Sequence, residues 1–431
     1  MTVKILIPTQ IVELTGEIQH CLLIAKQQGF AINHVELGVS PTPYFSLVEE
    51  DSTTNIGFNG GGFELNRSVE DFVLEYNQTI PFDVLLERLS SSEQSIFVGL
   101  KDTDRRLDIW STLDGNRAIQ TSRKPNDVDT YRHISWFVTL LALDFPIEDA
   151  LVVANAASNV PRETWPNSFD VFPVPILEDK RLGIHVGWAH SNNPLTFPSL
   201  IKSSLGLYPV VDDVGWIETL LKLGVKTIQL RIKNPNQADL EEQVKQAICL
   251  GQKYQAQVFI NDYWKLALKH QAFGVHLGQE DIEESNLLQL SEAGIRLGLS
   301  THGYYELLRI IQINPSYIAL GHIFPTTTKQ MPSKPQGLVR LGLYQQLIDT
   351  IPYSQTTLGY PTVAIGGIDQ HTAPEVWDCG VSSLAVVRAI TLADSPKDVV
   401  NFFDDLINKN PRQEIQKPTF VHQPLEISHA E

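Results

Sequence analysis

Gln229-Leu-Arg-Ile-Lys233 closes a short apolar run, and the same arrangement returns down the chain. Asn261-Asp262 follows Gln257-Val-Phe-Ile260, and Asp281 lies just beyond Gly274-Val-His-Leu277. Thr326-Thr-Thr-Lys329 follows Leu320-Gly-His-Ile-Phe-Pro325. Strand-like runs are Leu207 to Val211, Thr227 to Ile232, Val258 to Ile260, Gly274 to Leu277, Arg296 to Leu299, Tyr317 to Ile323, Thr362 to Ile365 and Leu384 to Val387. Amphipathic stretches such as Val214 to Leu223 and Leu240 to Ile248 lie between them. Eight β/α units in about 200 residues predict a (β/α)8 TIM barrel, the α/β architecture that puts strand ends on one rim. A doubly wound open sheet would show the same alternation. The count of eight and the polar groups at so many strand ends favour the barrel.

Working outward, Phe172-Pro-Val-Pro175 opens a connector that also holds Ser191-Asn-Asn-Pro194 and Pro198-Ser199. The boundary is placed near residues 195–205. Residues 1–195 are expected to form a smaller mixed α/β domain, residues 205–408 the barrel, and residues 409–431 a loosely ordered polar tail. In the first domain, Ser95 to Leu100 and Leu107 to Thr112 read as strands, and Ile134 to Leu143 and Ile147 to Ala156 as a helical pair.

The totals narrow the function. The 431 residues are too many for one ordinary domain, and a hydrophobic share of 42% allows a sizeable core. A net charge of -17 argues against nucleic-acid binding, which wants a basic face. It leaves room for phosphorylated ligands, because a few cations set the potential inside one cleft. Cys21, Cys249 and Cys379 are far apart and suit no zinc spacing, so packed free thiols in a reduced cytoplasm are expected. The apolar start from Met1 to Pro8 is too short for a signal peptide, and no run nears the ~18 residues of a membrane span.

Period-two spacing puts Gln229, Arg231 and Lys233 on one face of their strand, inward at the barrel mouth. An Arg and a Lys aimed together repel unless an anion lies between them, and diphosphate suits. A solvated strand end is the plainer reading. Asp262 and Asp281, at neighbouring strand ends, can share one Mg²⁺ and leave its other positions to water or phosphate. The plainer readings are a turn-forming Asn-Asp pair and a helix cap. Asn261 and Ser300 offer an amide and a hydroxyl at the mouth. His302 reads as a helix-start or packing histidine, and His276 as a satisfied core residue. Thr326, Thr328 and Lys329 suit a phosphate, on a long loop that fits a mobile cover. Gly366-Gly367 lets backbone N–H groups approach a phosphate, and Val387-Arg388 closes the same pocket.

In this order the segments resemble thiamine phosphate synthase. The likeness is carried by Gln229 to Lys233, Asn261-Asp262, Gly274 to Asp281, Gly298 to His302, Tyr317 to Gly321, Ile323 to Lys329 and Ala364 to Ile368. It implies a transferase joining a hydroxymethylpyrimidine diphosphate to a thiazole phosphate, with release of diphosphate. By that likeness Gln229, Arg231, Lys233, Asn261, Ser300 and Lys329 hold the pyrimidine diphosphate. Asp262 and Asp281 hold Mg²⁺, and Thr326, Thr328, Gly367, Val387 and Arg388 surround the thiazole phosphate. Catalysis is expected from Arg231, Lys233, Lys329 and Ser300. Arg388 stands where the family commonly has a Ser.

The first half carries weaker signals. Gly60-Gly-Gly62 reads as a turn. Asp108-Ile-Trp110, Asp114-Gly115 and Ile147 to Leu151 faintly resemble a hydroxymethylpyrimidine phosphate kinase of the ribokinase-like type. Thr130-Tyr-Arg-His-Ile134 replaces that family's anion-hole segment, so a decayed or repurposed relative is expected. Two rival readings are a thiazole tautomerase using His302, and a non-catalytic sensor of thiamine precursors. The first would not need the Mg²⁺ carboxylates or the diphosphate-binding cations, and the second would bind without turnover.

Overall fold

A computed structural model of the chain describes residues 2–59, 69–91, 95–103, 105–121, 127–190, 195–326 and 334–418. The eight expected strands form a closed parallel barrel. In order they are Gly206–Val211, Thr227–Leu230, Gln257–Asn261, Gly274–Leu277, Arg296–Thr301, Tyr317–Gly321, Thr362–Ile365 and Ser383–Val386. The eighth pairs with the first, Gly206 opposite Ser383, and the Ser383 hydroxyl donates to the Gly206 carbonyl at 2.7 Å.

Three run ends fall short of the sequence reading: the eighth strand stops one residue early, at Val386, and the other two for a physical reason. The second strand ends at Leu230, although Arg231 still donates its N–H to the Val211 carbonyl at 2.7 Å. The sixth ends at Gly321, where a Cβ would come within 2.3 Å of the Ile365 carbonyl oxygen. Beyond it the chain hugs the seventh strand through single bonds from Ile323 N–H to Ile365 and from Phe324 N–H to Gly366.

The barrel interior is aromatic low in the fold. Tyr208, Phe259 and Tyr317 meet with ring centroids 5.1–5.9 Å apart. Glycines make the space: a Cβ at Gly298 would lie 2.1 Å from the Tyr317 ring, and one at Gly274 would lie 2.3 Å from Phe259. Large side chains on some strands thus interdigitate with none on their neighbours, which is how a barrel core fills without voids.

The first half is built on a nine-stranded mixed sheet. Its spatial order is Val35–Ser40, Val3–Pro8, Phe45–Val48, Thr53–Phe58, Phe72–Tyr76, Ser95–Asp102, Arg105–Thr112, Gly115–Gln120 and Val174–Pro175. The last strand falls within the stretch read as connector, where Ile119 opposes Pro175 and Gln120 opposes Val174. Beyond it Leu182 and Ile184 are buried with Leu85, Leu89 and Phe97, so this part of the stretch belongs to the first half's core.

The expected helical pair spans Thr130–Ala142 and Ile147–Ala157. Asp129 caps the first by accepting the Arg132 N–H. Every residue from Asp149 to Ala157 is buried. A helix apolar all round must be covered all round, and this one lies between the first half and the barrel helix Tyr304–Ile310. Phe172 stacks on Tyr304 with centroids 5.4 Å apart, Trp110 meets Tyr305 edge-on, and Arg340 donates to the carbonyls of Leu143 and Asp144. The apolar cores of the two halves are continuous.

The polar segment past Asn410 begins half-exposed, in contact with the barrel. Arg412 donates to the carbonyls of Val381 and Trp377, and Ile415–Gln416 pairs with Thr357–Leu358. No described helix is long and apolar enough to cross a membrane. Gly60-Gly-Gly62 and the loop residues Thr328 and Lys329 lie outside the described residues.

Candidate active site

The C-terminal ends of the barrel strands surround a cavity of about 750 Å³. Gln229, Arg231 and Lys233 all line it. Their alternation survives past the strand end, with Gln229 buried, Arg231 half-buried and Lys233 exposed. One amide and two cations therefore climb a single wall from the barrel core to the rim.

The third and fourth strands add Asn261, Asp262 and Asp281 to the same cavity. Asp262 takes φ +62°, a left-handed conformation that Asn and Asp tolerate best. Its N–H donates to the His276 carbonyl at 3.0 Å, which ties the third strand's end to the fourth. Asp281 lies in the short helix Gln279–Glu284, and its carboxylate accepts the Gly278 N–H at 3.0 Å. The helix-start reading and the ligand reading of Asp281 are thus compatible, because the carboxylate serves the turn and still faces the cavity. Among the described residues, no group of three or more His, Cys, Asp and Glu side chains gathers to hold a metal. Two carboxylates and no soft ligand suit a hard cation that keeps water or phosphate in its remaining positions.

Ser300 and His302 end the fifth strand and line the cavity. His302 is held twice by Glu306, whose carboxylate accepts its backbone N–H at 2.7 Å and meets its Nδ1 at 2.9 Å. That is the helix-start histidine of the plainer reading. His276, read as a core residue, also faces the cavity, and its Nε2 lies 2.9 Å from the Ser300 hydroxyl.

Opposite, Thr326, Gly367, Val387 and Arg388 form the other wall. Gly366 and Gly367 take φ +105° and +68°. A Cβ on Gly366 would meet that of His322 at 2.5 Å, and one on Gly367 would meet that of Phe324 at 2.7 Å. Both glycines are required for the loop after the seventh strand to pass so close to residues 322–325, and that passage leaves backbone facing the cavity. Arg388 opens the short helix Arg388–Thr391 and is exposed to the cavity mouth.

Sequence reading missed Asp212, His322, Asp369 and Gln370, which also line the cavity. Asp212 follows the first apolar run as Asp262 follows the third, so the same rule would have found it. His322 was hidden inside the run read as continuing to Ile323. It is buried, and burial, helped by His302, lowers its pKa below the usual imidazole value.

A family model described as thiamine monophosphate synthase matches residues 207–390. Thiamine-phosphate synthase of Pectobacterium atrosepticum is 59% identical over 189 residues, covering 44% of this chain and 85% of that protein. The enzyme of the same name from Yersinia pestis is 57% identical over 197 residues, covering 46% of this chain and 87% of that protein. Among solved structures, thiamine phosphate pyrophosphorylase from Pyrococcus furiosus aligns with a TM-score of 0.42 and 27% identity, over 48% of this chain and 98% of that one.

Proposed function

The chain belongs to the thiamine-phosphate synthase family, and from that premise we propose how the cavity residues divide its reaction. The protein is a transferase of thiamine biosynthesis, and the comparisons lend no support to the tautomerase or sensor readings. Its substrates are a hydroxymethylpyrimidine diphosphate and a thiazole phosphate.

Gln229, Arg231, Lys233, Asn261, Ser300 and Lys329 take the pyrimidine diphosphate. Thr326, Thr328, Gly367, Val387 and Arg388 take the thiazole phosphate. Asp262 and Asp281 would hold Mg²⁺, which when bound would offset diphosphate charge. The reading is supported above all by one observation: Arg231, Asp262 and Asp281, from three successive strands, line one cavity whose far wall is the Gly366-Gly367 loop and Arg388.

The chemistry follows from the charges. The pyrimidine amino group pushes electrons toward the exocyclic CH₂. The C–O bond breaks, and its electron pair leaves on the diphosphate. The thiazole ring nitrogen then gives its lone pair to the CH₂ carbon, and no proton is lost. A general base has no task here. Arg231, Lys233 and Lys329 stabilise the negative charge that grows on the leaving group, and fixed charge in a dry site is often the largest catalytic contribution. Ser300 orients the pyrimidine diphosphate. We read the first half as a decayed or repurposed relative of the kinase that it faintly resembles, and expect ATP-dependent phosphorylation by the full chain to be absent.

Product analysis tests the reading. The full chain, mixed with both phosphorylated precursors and Mg²⁺, is expected to release thiamine phosphate and diphosphate in equal amounts. No coupled product would end it.

A further inference from the structure

Five polar side chains from five barrel strands form one unbroken hydrogen-bonded line through the barrel. Gln229 Nε2 lies 3.4 Å from the Tyr208 hydroxyl, and that hydroxyl lies 2.8 Å from the Tyr317 hydroxyl. The Tyr317 hydroxyl lies 2.8 Å from His276 Nδ1, and His276 Nε2 lies 2.9 Å from the Ser300 hydroxyl. Tyr208, Tyr317, Gln229 and His276 are buried, and Ser300 is half-buried at the cavity.

One order of the protons in this line leaves no buried hydroxyl proton unpaired. An amide nitrogen donates and cannot accept, so Tyr208 accepts from Gln229. The Tyr208 proton goes to Tyr317, because the reverse direction would leave it unpaired in the core, and the single proton of Tyr317 then goes to His276 Nδ1. A neutral imidazole that accepts at Nδ1 carries its hydrogen at Nε2, and that hydrogen goes to the Ser300 oxygen. The Ser300 proton has no acceptor left in the line.

We infer that Tyr208, Tyr317 and His276 are positioning residues that fix His276 as the Nε2–H tautomer and make Ser300 a hydrogen-bond donor into the cavity. The target is an acceptor atom of the pyrimidine diphosphate, so this part rests on the site reading above. Burial raises both phenols far above their ordinary pKa, so each keeps one proton to give. The sequence reserves the space as well. A Cβ at Gly298 would lie 2.4 Å from the Tyr317 hydroxyl, so only glycine at that position admits the ring beside His276. Without the line, a serine hydroxyl turns freely, and as an acceptor it would repel the phosphate oxygens it faces.

The tautomer is measurable without substrate. In the ¹⁵N-labelled full chain, with His276→Gln to assign the signals, His276 is expected to show a neutral ring protonated at Nε2 alone. A ring protonated at Nδ1, or at both nitrogens, overturns the inference. Tyr317→Phe removes the donor to Nδ1 and is expected to give a mixture of tautomers. It should also raise KM for the pyrimidine diphosphate about 5–10-fold, the scale of one hydrogen bond, with KM for the thiazole phosphate unchanged. In Ser300→Ala the Tyr317→Phe change should add nothing, because it acts through that hydroxyl. Additive losses would show that Tyr317 matters only for packing, and would overturn the inference too. If the wild-type tautomer is Nε2–H but Ser300→Ala leaves both KM values untouched, the ligand assignment falls while the tautomer assignment stands.

Discussion

The Asp149 carboxylate, on a helix of the first half, accepts the backbone N–H of Tyr305 on the barrel at 2.9 Å. Gly303 lies directly against it, where a Cβ would come 2.2 Å from Asp149 Oδ2. The segment it grips, Gly303 to Tyr305, directly follows Ser300 and His302. The first half thus reaches the turn that presents two cavity residues.

Burial pushes the Asp149 carboxyl up from 3.8 to about 6; the N–H donors of Tyr305 and Tyr304 and the cation of Arg340 oppose that rise, and Glu306 adds to it. The raised value means the folded protein binds this proton more tightly than the unfolded chain. Its contribution is therefore full below about pH 4 and is lost as pH rises through about 6. Asp149→Asn keeps an acceptor for Tyr305 and never ionises. Relative to wild type it should gain up to about 3 kcal/mol between pH 4 and 7. Denaturant titrations of both proteins across that range check this, and parallel curves would refute it.

Asp262→Ala and Lys329→Ala should each lower turnover about 10²-fold or more, the scale of losing one charge-stabilising group. Steady-state rates on purified variants give the answer. Chelation of divalent cations should silence the wild type, and added Mg²⁺ should restore it. Near-normal rates in either variant would remove that residue from the proposed site.

Arg388→Ser removes the cation and keeps a small hydroxyl. If Arg388 grips the thiazole phosphate, KM for that substrate should rise about 10-fold, the scale of a charged hydrogen bond, while KM for the pyrimidine diphosphate stays put. An equal rise in both would place Arg388 elsewhere in the reaction.

Gly367→Ala sets a Cβ against Phe324 and Pro325 at a residue with φ +68°. The left-handed conformation alone costs about 1–2 kcal/mol. The expected result is a small loss of thermal stability with a marked rise in KM for the thiazole phosphate. Circular dichroism melts and initial rates separate the two effects.

The barrel was legible because its strands are buried on both faces and end in polar residues. Thr227, Gly274, Arg296, Tyr317 and Thr362 begin strands where the apolar runs begin. Ser383 was missed because it is polar, though its hydroxyl is used to close the barrel. His322 was hidden for the opposite reason: an apolar run swallows a polar residue placed inside it. His276 is the buried, hydrogen-bonded residue its strand position implied, and that position gave no sign that it also lines the cavity. The first half was harder. Val3–Pro8 is paired on both sides and its Ile5 and Ile7 are buried, yet at six residues it resembles any short apolar start. Thr53–Phe58 opens with Thr53-Thr-Asn55, where composition argues for a turn. Its pairing with both neighbours outweighs that preference. The connector reading failed at Val174-Pro175 because proline fits an edge strand as readily as a loop.

The helix Ile147–Ala157 has no face meant for water, and the barrel supplies one of its walls. A barrel cut free at residue 205 would leave Tyr304 and Tyr305 without Phe172 and Trp110 above them. Such a fragment would carry every cavity residue named here and still tend to clump in solution through its bared side. For this chain, holding all the chemistry and surviving alone are different properties.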